Sequence, residues 1–360
     1  MQVIHPSFMQ HALRLSAFDY AVPRDRVAAY PAEPRESARM MVVDRQSGAI
    51  EHRTVADLPD YFGPGDVLVA NDTQVFPARL RGEKENTGAK VEAFLLRELS
   101  AEQRLWDSIV APARKVRVGN KLVFGDRLEA EVIDNTTSRG RTLRFIFDGP
   151  PDELYSTIDA LGETPIPPYL RRPSEPADRD RYQTVFARHR GAVAAPAAGL
   201  HFTPGLLGRL AERGAEVATV TLHTGLGTFQ PVEVEDLSKH RMDSEYYCVT
   251  EGAAEVVNRA LTHPDRTVTA CGTTVVRAVE STLSVDKTLK ADEGWTDKFI
   301  YPVYDFCVAE RLFTNFHHPR SALLMMVSAF AGHALVMEAY REAIQEEYRL
   351  FAFGDAMLVV

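Results

Sequence analysis

Two unbroken apolar runs, within "RMMVVDR" (39–45) and "DVLVAND" (66–72), restrict the fold of this chain more than any other feature. A strand with one face in water alternates apolar and polar residues, whereas a strand covered on both faces has no need to. Runs of this kind demand a sheet with helices packed on its two sides. The second half of the chain supplies them. "TPGLLGRLAERG" (203–214) reads as a helix between a Thr cap and a Gly stop. A strand at 215–223, a helix at 251–264, a strand at 266–272 and a helix from Thr273 follow. Two apolar helices, near 321–332 and 335–348, and a strand-like "DAMLVV" close the chain.

Between about 75 and 150 the texture differs. Short strand candidates, "KVEAFLLREL", "RLWDSIVAPA", "NKLVFGDRLEAEVID" and "RTLRFIF", are separated by turn residues, and no helical period survives. Such strands leave exposed edges unless the sheet closes on itself, so a small barrel is expected. "GPPDELYSTIDALG" (149–162) then reads as a helix. The expected architecture is a larger α/β domain, residues 1–73 plus 151–360, with a small all-β, barrel-like domain inserted at 74–150. Residues 1–15 read as a loose N-terminal extension.

Charge and cysteine content narrow the function. A formal charge of -9 argues against a surface that binds polyanions everywhere, because phosphate contacts come from Lys and Arg. Two local patches remain: "ARKVRVGNK" (113–121), with Arg114 and Lys115, and the loop 170–190, which holds six arginines including Arg171 and Arg172. Cys248, Cys271 and Cys307 are widely spaced and signal neither zinc nor a disulfide framework. The longest apolar run, "ALLMMVSAFAG" (322–332), falls short of the roughly 20 residues that span a bilayer, so the expected location is a reducing cytoplasm.

Candidate chemistry gathers where strands end. "AAPAAGLHF" (194–202) sets His201 among small residues, either as a core histidine or beside a pocket wall. "TLHTGLGTFQP" (221–231) carries a strand into His223, with Gly225 and Gly227 freeing the backbone beyond it. Its G-L-G spacing is not that of a dinucleotide fingerprint. "ACGTTVVR" (270–277) starts a helix at Thr273 and Thr274, where amides and hydroxyls converge, with Arg277 one turn on as a fork for a carboxylate. "LFTNFHHPRSALL" (312–324) presents Asn315, His317 and His318 before a helix cappable by Ser321. Two adjacent histidines without a third ligand give no metal site. In "HRMDSEYY" (240–247), which holds His240, an extended backbone would put Asp243 and Glu245 on one side.

These stretches, together with "PGDVLVANDTQVFPARLRG", "GETPIPPYLRRP", "CGTTVVRAVES", "FIYPVYDF" and "YRLFAFGDAMLV", resemble in order the S-adenosylmethionine:tRNA ribosyltransferase-isomerases of queuosine biosynthesis, from about Phe18 to Val360. The resemblance implies transfer and isomerisation of the ribosyl group of S-adenosylmethionine onto 7-aminomethyl-7-deazaguanine at the tRNA wobble position. Epoxyqueuosine-tRNA, adenine and methionine are the implied products. S-adenosylmethionine is a co-substrate, and no separate cofactor, metal or obligate protein partner is implied. An α/β domain with an inserted barrel agrees with the reading above. A base for the proton next to the sulfonium and an acid for departing adenine are needed, which brings forward His201, His223, His240 and His317, with Asp243 beside them. Arg277 and Glu245 are the expected partners of the methionine carboxylate and amine.

The chain departs from the family's usual residues at Ala197 (Thr), Thr224 (Val), Asp243 (His), Val275 (Ser), His318 (Leu), Gln74 (Arg) and Ala89 (Gly). Asp243 accepts hydrogen bonds but cannot donate as an imidazolium does. The departures frame two alternatives: a tRNA-binding relative without catalysis, and ribosyl transfer to another acceptor.

Overall fold

The computed structural model describes residues 14–225, 227 and 231–360. Its larger sheet has nine strands. Four of them, Glu216–Leu222, Val67–Asn71, Val268–Cys271 and Arg311–Asn315, run parallel and side by side at the centre. Beyond Arg311–Asn315 come Ala356–Val359, antiparallel to it, then Arg39–Val43 and Ile50–Thr54. On the other side Glu245–Val249 and Asp292–Thr296 add antiparallel strands.

The apolar runs behave as two-sided strands. Val67 and Val69 join the core under the helices Glu251–Leu261, Thr273–Ser281 and Ala322–Ala331, while Leu68 and Ala70 join a second core with Leu206 and Leu210 of the helix Pro204–Glu212. Met41 and Val43, against Met40 and Val42, divide in the same way. Thr203 caps its helix by accepting from the Leu206 amide, and Ser321 does the same for Leu324.

Six antiparallel strands, from Arg79–Lys84 to Gly140–Ile146, close into a barrel. Strand Leu105–Ala111 alternates buried and half-buried residues along its length, which fills the interior. Two features at the barrel's margins differ from the 74–150 expectation. Thr73–Val75 pairs with His189–Ala192 rather than with the barrel, and the helix Pro151–Leu161 sends Leu154 and Ile158 into the barrel core. Of the expected loose extension, residues 1–13 lie outside the described residues. Arg14 bridges to Asp236, and Leu15 is buried at the start of a 3-10 turn.

Among the described residues no single helix is long and apolar enough to cross a membrane.

Candidate active site

The four central parallel strands all end at one place. Leu222 is followed by His223, Asn71 by Asp72 and Thr73, Cys271 by Gly272 and Thr273, and Asn315 closes its own strand. The carboxyl ends of parallel strands are where an open α/β sheet leaves room for a ligand. Asn71 staples three of them. Its Nδ2 donates to the Leu222 carbonyl (2.9 Å) and Thr274 Oγ1 (3.1 Å), and its Oδ1 accepts from the amides of Leu222 (3.1 Å) and Thr73 (3.0 Å). Asp72 accepts from the Thr221 hydroxyl at 2.7 Å.

His223 is fixed by this arrangement. Its Nδ1 lies 2.7 Å from Thr73 Oγ1, and its ring stacks on Tyr246 at 5.5 Å. Gly191 makes room for the ring: a Cβ there would lie 2.5 Å from Nε2. Burial, helped by nearby His189 and opposed by Asp72, holds the imidazole down at about 4, so it is neutral at pH 7.

Two cavities meet beside it. One, with about 670 Å³ of empty space, is walled by Ala194–Ala198, Thr273, Thr274, Asn315, His317, His318 and Phe351. The other, about 2080 Å³, is a cleft between the barrel and the α/β sheet. Arg97, Glu98 and Trp106 face His223, Asp243, Glu245, Tyr246 and Trp295 across it. Thr224 lines both.

The structure gathers some of the expected residues and sets others aside. Thr273, Thr274, Asn315 and His317 line the smaller cavity, while His223, Gly225, Gly227, Asp243 and Glu245 line the cleft. Asp243 and Glu245 thus share a side, and Gly227 lies against the Asp243 carboxyl, where a Cβ would be 2.6 Å from Oδ2. His317 is held at about 3 by burial, and its Nε2 lies 2.8 Å from Thr314 Oγ1. His240 lies outside both cavities with its ring edge-on to Phe299 at 4.8 Å, and partial burial lowers its pKa.

His201 is behind the wall rather than on it. It is 5% exposed, burial holds it at about 3, and its Nε2 lies 3.1 Å from Asn315 Nδ2. Its other nitrogen bonds the Arg35 backbone. With Nδ1 donating to a carbonyl, Nε2 is the acceptor, so the neutral ring orients the Asn315 amide.

Arg277 and Glu245 differ most from expectation. They pair with each other, both nearly fully buried, and Arg277 also donates to the carbonyls of Lys298 (3.1 Å) and Thr296 (3.2 Å). Glu245 accepts from the Gly225 amide at 2.7 Å. The guanidinium is spent on protein acceptors, because an unpaired buried charge is far costlier than a paired one. Arg277 lines neither cavity, so the expected grip on the methionine carboxylate is not made there.

A similar correction applies to Arg172. It forks onto Asp178 at 2.7 and 2.6 Å, donates to the Ala29 carbonyl and covers the Tyr30 ring, which leaves it a structural cation. Arg171 is exposed, and so are Arg114 and Lys115 on a barrel turn, away from both cavities. Sequence reasoning missed Asn71, Asp72 and Thr73, although polar residues closing a fully apolar strand were a legible sign. It also missed Trp295, 55% exposed, edge-on to Tyr246 and covered by Arg97 at 5.2 Å.

Residues 15–359 match the model of a family described as queuosine biosynthesis protein. The S-adenosylmethionine:tRNA ribosyltransferase-isomerase of Flavobacterium psychrophilum is 57% identical over 350 residues, 97% of this chain and all of the relative. That of Cytophaga hutchinsonii is 54% identical over 349 residues, with the same coverage. The crystal structure of S-adenosylmethionine tRNA ribosyltransferase from Thermotoga maritima superposes with a TM-score of 0.53 at 33% identity, covering 96% of this chain and 100% of that one. With strand ends, barrel and cleft in place, the matches over nearly the whole length show that this chain belongs to the S-adenosylmethionine:tRNA ribosyltransferase-isomerase family of queuosine biosynthesis enzymes.

Proposed function

We propose that this chain moves and isomerises the ribosyl group of S-adenosylmethionine onto 7-aminomethyl-7-deazaguanine at the wobble position of tRNA. Epoxyqueuosine-tRNA is formed, and adenine and methionine leave. The observation that carries the reading is a neutral, doubly positioned imidazole, His223, beside Thr224, which among the described residues is the one shared by the smaller cavity and the larger cleft. A reaction between a nucleoside and a base held in RNA needs those two compartments to meet at the reacting atoms.

His223 has the properties of the base. Thr73 and Tyr246 fix its ring, and its neutral state leaves a lone pair for a proton made acidic by the neighbouring sulfonium. The bound cation disfavours protonation of the imidazole before reaction, while the proton it takes moves charge from substrate to protein. Asp243, across the cleft, can receive hydrogen bonds from an ammonium on the acceptor base. The rings of Trp295 and Tyr246 offer surfaces for unstacked tRNA bases, and Arg97 supplies positive charge over Trp295. S-adenosylmethionine serves as co-substrate with no further cofactor, and the reaction takes place in the cytoplasm.

The test is incubation with S-adenosylmethionine and tRNA carrying the deazaguanine, followed by chromatography of released adenine and of nucleosides from digested tRNA. Adenine release with a modified nucleoside supports the reading. tRNA binding without adenine release points to a non-catalytic relative, and adenine release only with another acceptor to changed specificity. His223→Ala should lower turnover by at least about tenfold, a modest share of what one base contributes. Unchanged turnover removes His223 from the chemistry.

A further inference from the structure

Residues lining the smaller cavity carry buried polar atoms that have no partner among the described residues: Asn315 Oδ1, His318 Nε2 and Thr224 Oγ1. Buried polar groups are almost always satisfied, so three in one cavity ask for a ligand. The orientation of Asn315 is set from behind. Its Nδ2 lies 3.2 Å from the Phe351 carbonyl, which can only accept, and 3.1 Å from His201 Nε2, so Oδ1 is the atom left over. His318 is held flat against Phe351 at 3.5 Å, with its edge rather than its face left for bonding.

The walls say what kind of ligand fits. Among the described residues no Lys, Arg, Asp or Glu lines this cavity, and burial holds His317 at about 3 and His318 at about 4, so both are neutral at pH 7. A phosphate, carboxylate or ammonium would meet no side-chain counter-charge there, only the amides at the start of the helix Thr273–Ser281. A neutral heterocycle with an amine edge would instead meet a lining rich in apolar residues, Ala194–Ala198 and Phe316 among them, and an acceptor at Asn315. Carboxyl side chains, Glu98, Asp107, Asp243 and the Arg277-paired Glu245, line only the neighbouring cleft, which suits the base that carries an ammonium.

We propose that the smaller cavity holds the adenine of S-adenosylmethionine, with Asn315 Oδ1 accepting from its exocyclic amine and His318 and Thr224 adding bonds. His201 is a positioning residue that acts through Asn315. The ribose then leads past Thr224 toward His223. The identity of the purine rests on the ribosyl-transfer reading, but the cavity's preference for an aminopurine does not.

Direct binding tests it. Adenine and hypoxanthine, which has a carbonyl in place of the amine, are titrated calorimetrically into the full chain without tRNA. The same is done with the double variant Thr224→Val/His318→Leu, with Asn315→Leu and with His223→Ala. Adenine should bind the wild-type chain at least tenfold more tightly than hypoxanthine. Asn315→Leu should bind adenine at least tenfold more weakly, whereas the double variant, which carries the Val and Leu usual in the family, should keep adenine affinity within severalfold while its melting temperature without ligand stays level or rises, because two unpartnered buried polar atoms are gone. A merely structural role for these residues predicts the opposite change in melting temperature. His223→Ala should keep adenine affinity while losing turnover, which separates the cavity from the chemistry. Equal binding of the two purines, or unchanged adenine affinity in Asn315→Leu, overturns the proposal. Failure of the wild-type chain to release adenine from S-adenosylmethionine would instead count against the ribosyl-transfer reading.

Discussion

Acid should unfold this protein earlier than its carboxylates alone require. Burial holds His201 and His317 at about 3, and His223 and His318 at about 4, against about 6.5 for a free imidazole. The folded chain therefore resists protons that the unfolded chain accepts. Stability is complete above pH 6.5 and falls as pH drops from 6.5 towards the folded values of about 4 and 3. At pH 5 a fully buried imidazole such as His201 has lost about 1.5 pH units of linkage, or about 2 kcal/mol. The other three are partly exposed and contribute less each, so the group together costs about 4 to 8 kcal/mol. That is a large share of the roughly 5 to 15 kcal/mol that holds a typical domain. Urea unfolding followed by tryptophan fluorescence at half-unit steps from pH 8 to 4.5 measures it. The unfolding free energy should be level above pH 7 and bend downward near 6.5, and His318→Leu should make the descent shallower. A level curve from pH 7 to 5 would refute the claim that these rings are buried and neutral, and with it the account of His223 as a ready base.

Two other outcomes separate the structure from the expectations it corrected. Arg277→Met should destabilise the chain by about 3 to 5 kcal/mol by removing the guanidinium that neutralises the buried Glu245 carboxylate, measured by chemical unfolding; an increase in KM for S-adenosylmethionine with unchanged stability would return Arg277 to the substrate. Among the basic residues, Arg114→Ala, Lys115→Ala and Arg171→Ala should each make the slope of log affinity for tRNA against log salt shallower by up to about one, as the loss of one phosphate contact does. Arg172→Ala should lower the melting temperature and leave that slope unchanged, because its fork is filled by Asp178.

The parallel centre was legible because its strands are apolar on both faces, a pattern helices cannot share with a half-exposed sheet. The outer strands were not. Ile50–Thr54 has four of five residues exposed, and Asp292–Thr296 is "DEGWT", so neither carries a hydrophobic signature; each exists because a neighbouring backbone supplies its hydrogen bonds. Trp295 was hidden for the same reason. Site residues were legible as types and places but not as partners. His223, Thr273, Thr274 and Asn315 stand at strand ends, which sequence order locates. Whether Arg277 faces a ligand or Glu245, 32 positions away, depends on how two elements pack, and no local pattern encodes that.

Burial has opposite consequences at the two histidines that first drew notice. His201, in "AAPAAGLHF", is enclosed completely, and both ring nitrogens are engaged by Arg35 and Asn315. It cannot exchange a proton with substrate, but its fixed tautomer decides which atom of Asn315 faces the cavity. His223 is enclosed on one side only: Thr73 occupies Nδ1, Tyr246 covers a face, and the ring borders the cleft. The small residues near each ring do different things as a result. Ala194–Ala198 form a thin wall that brings the cavity close to the backbone, whereas Gly191 leaves the volume that the His223 ring fills. Gly191→Ala should therefore act on catalysis rather than on the cavity. Its added methyl would displace the His223 ring, lowering turnover while sparing adenine affinity, and a loss of both together would mean that the two compartments are not independently built.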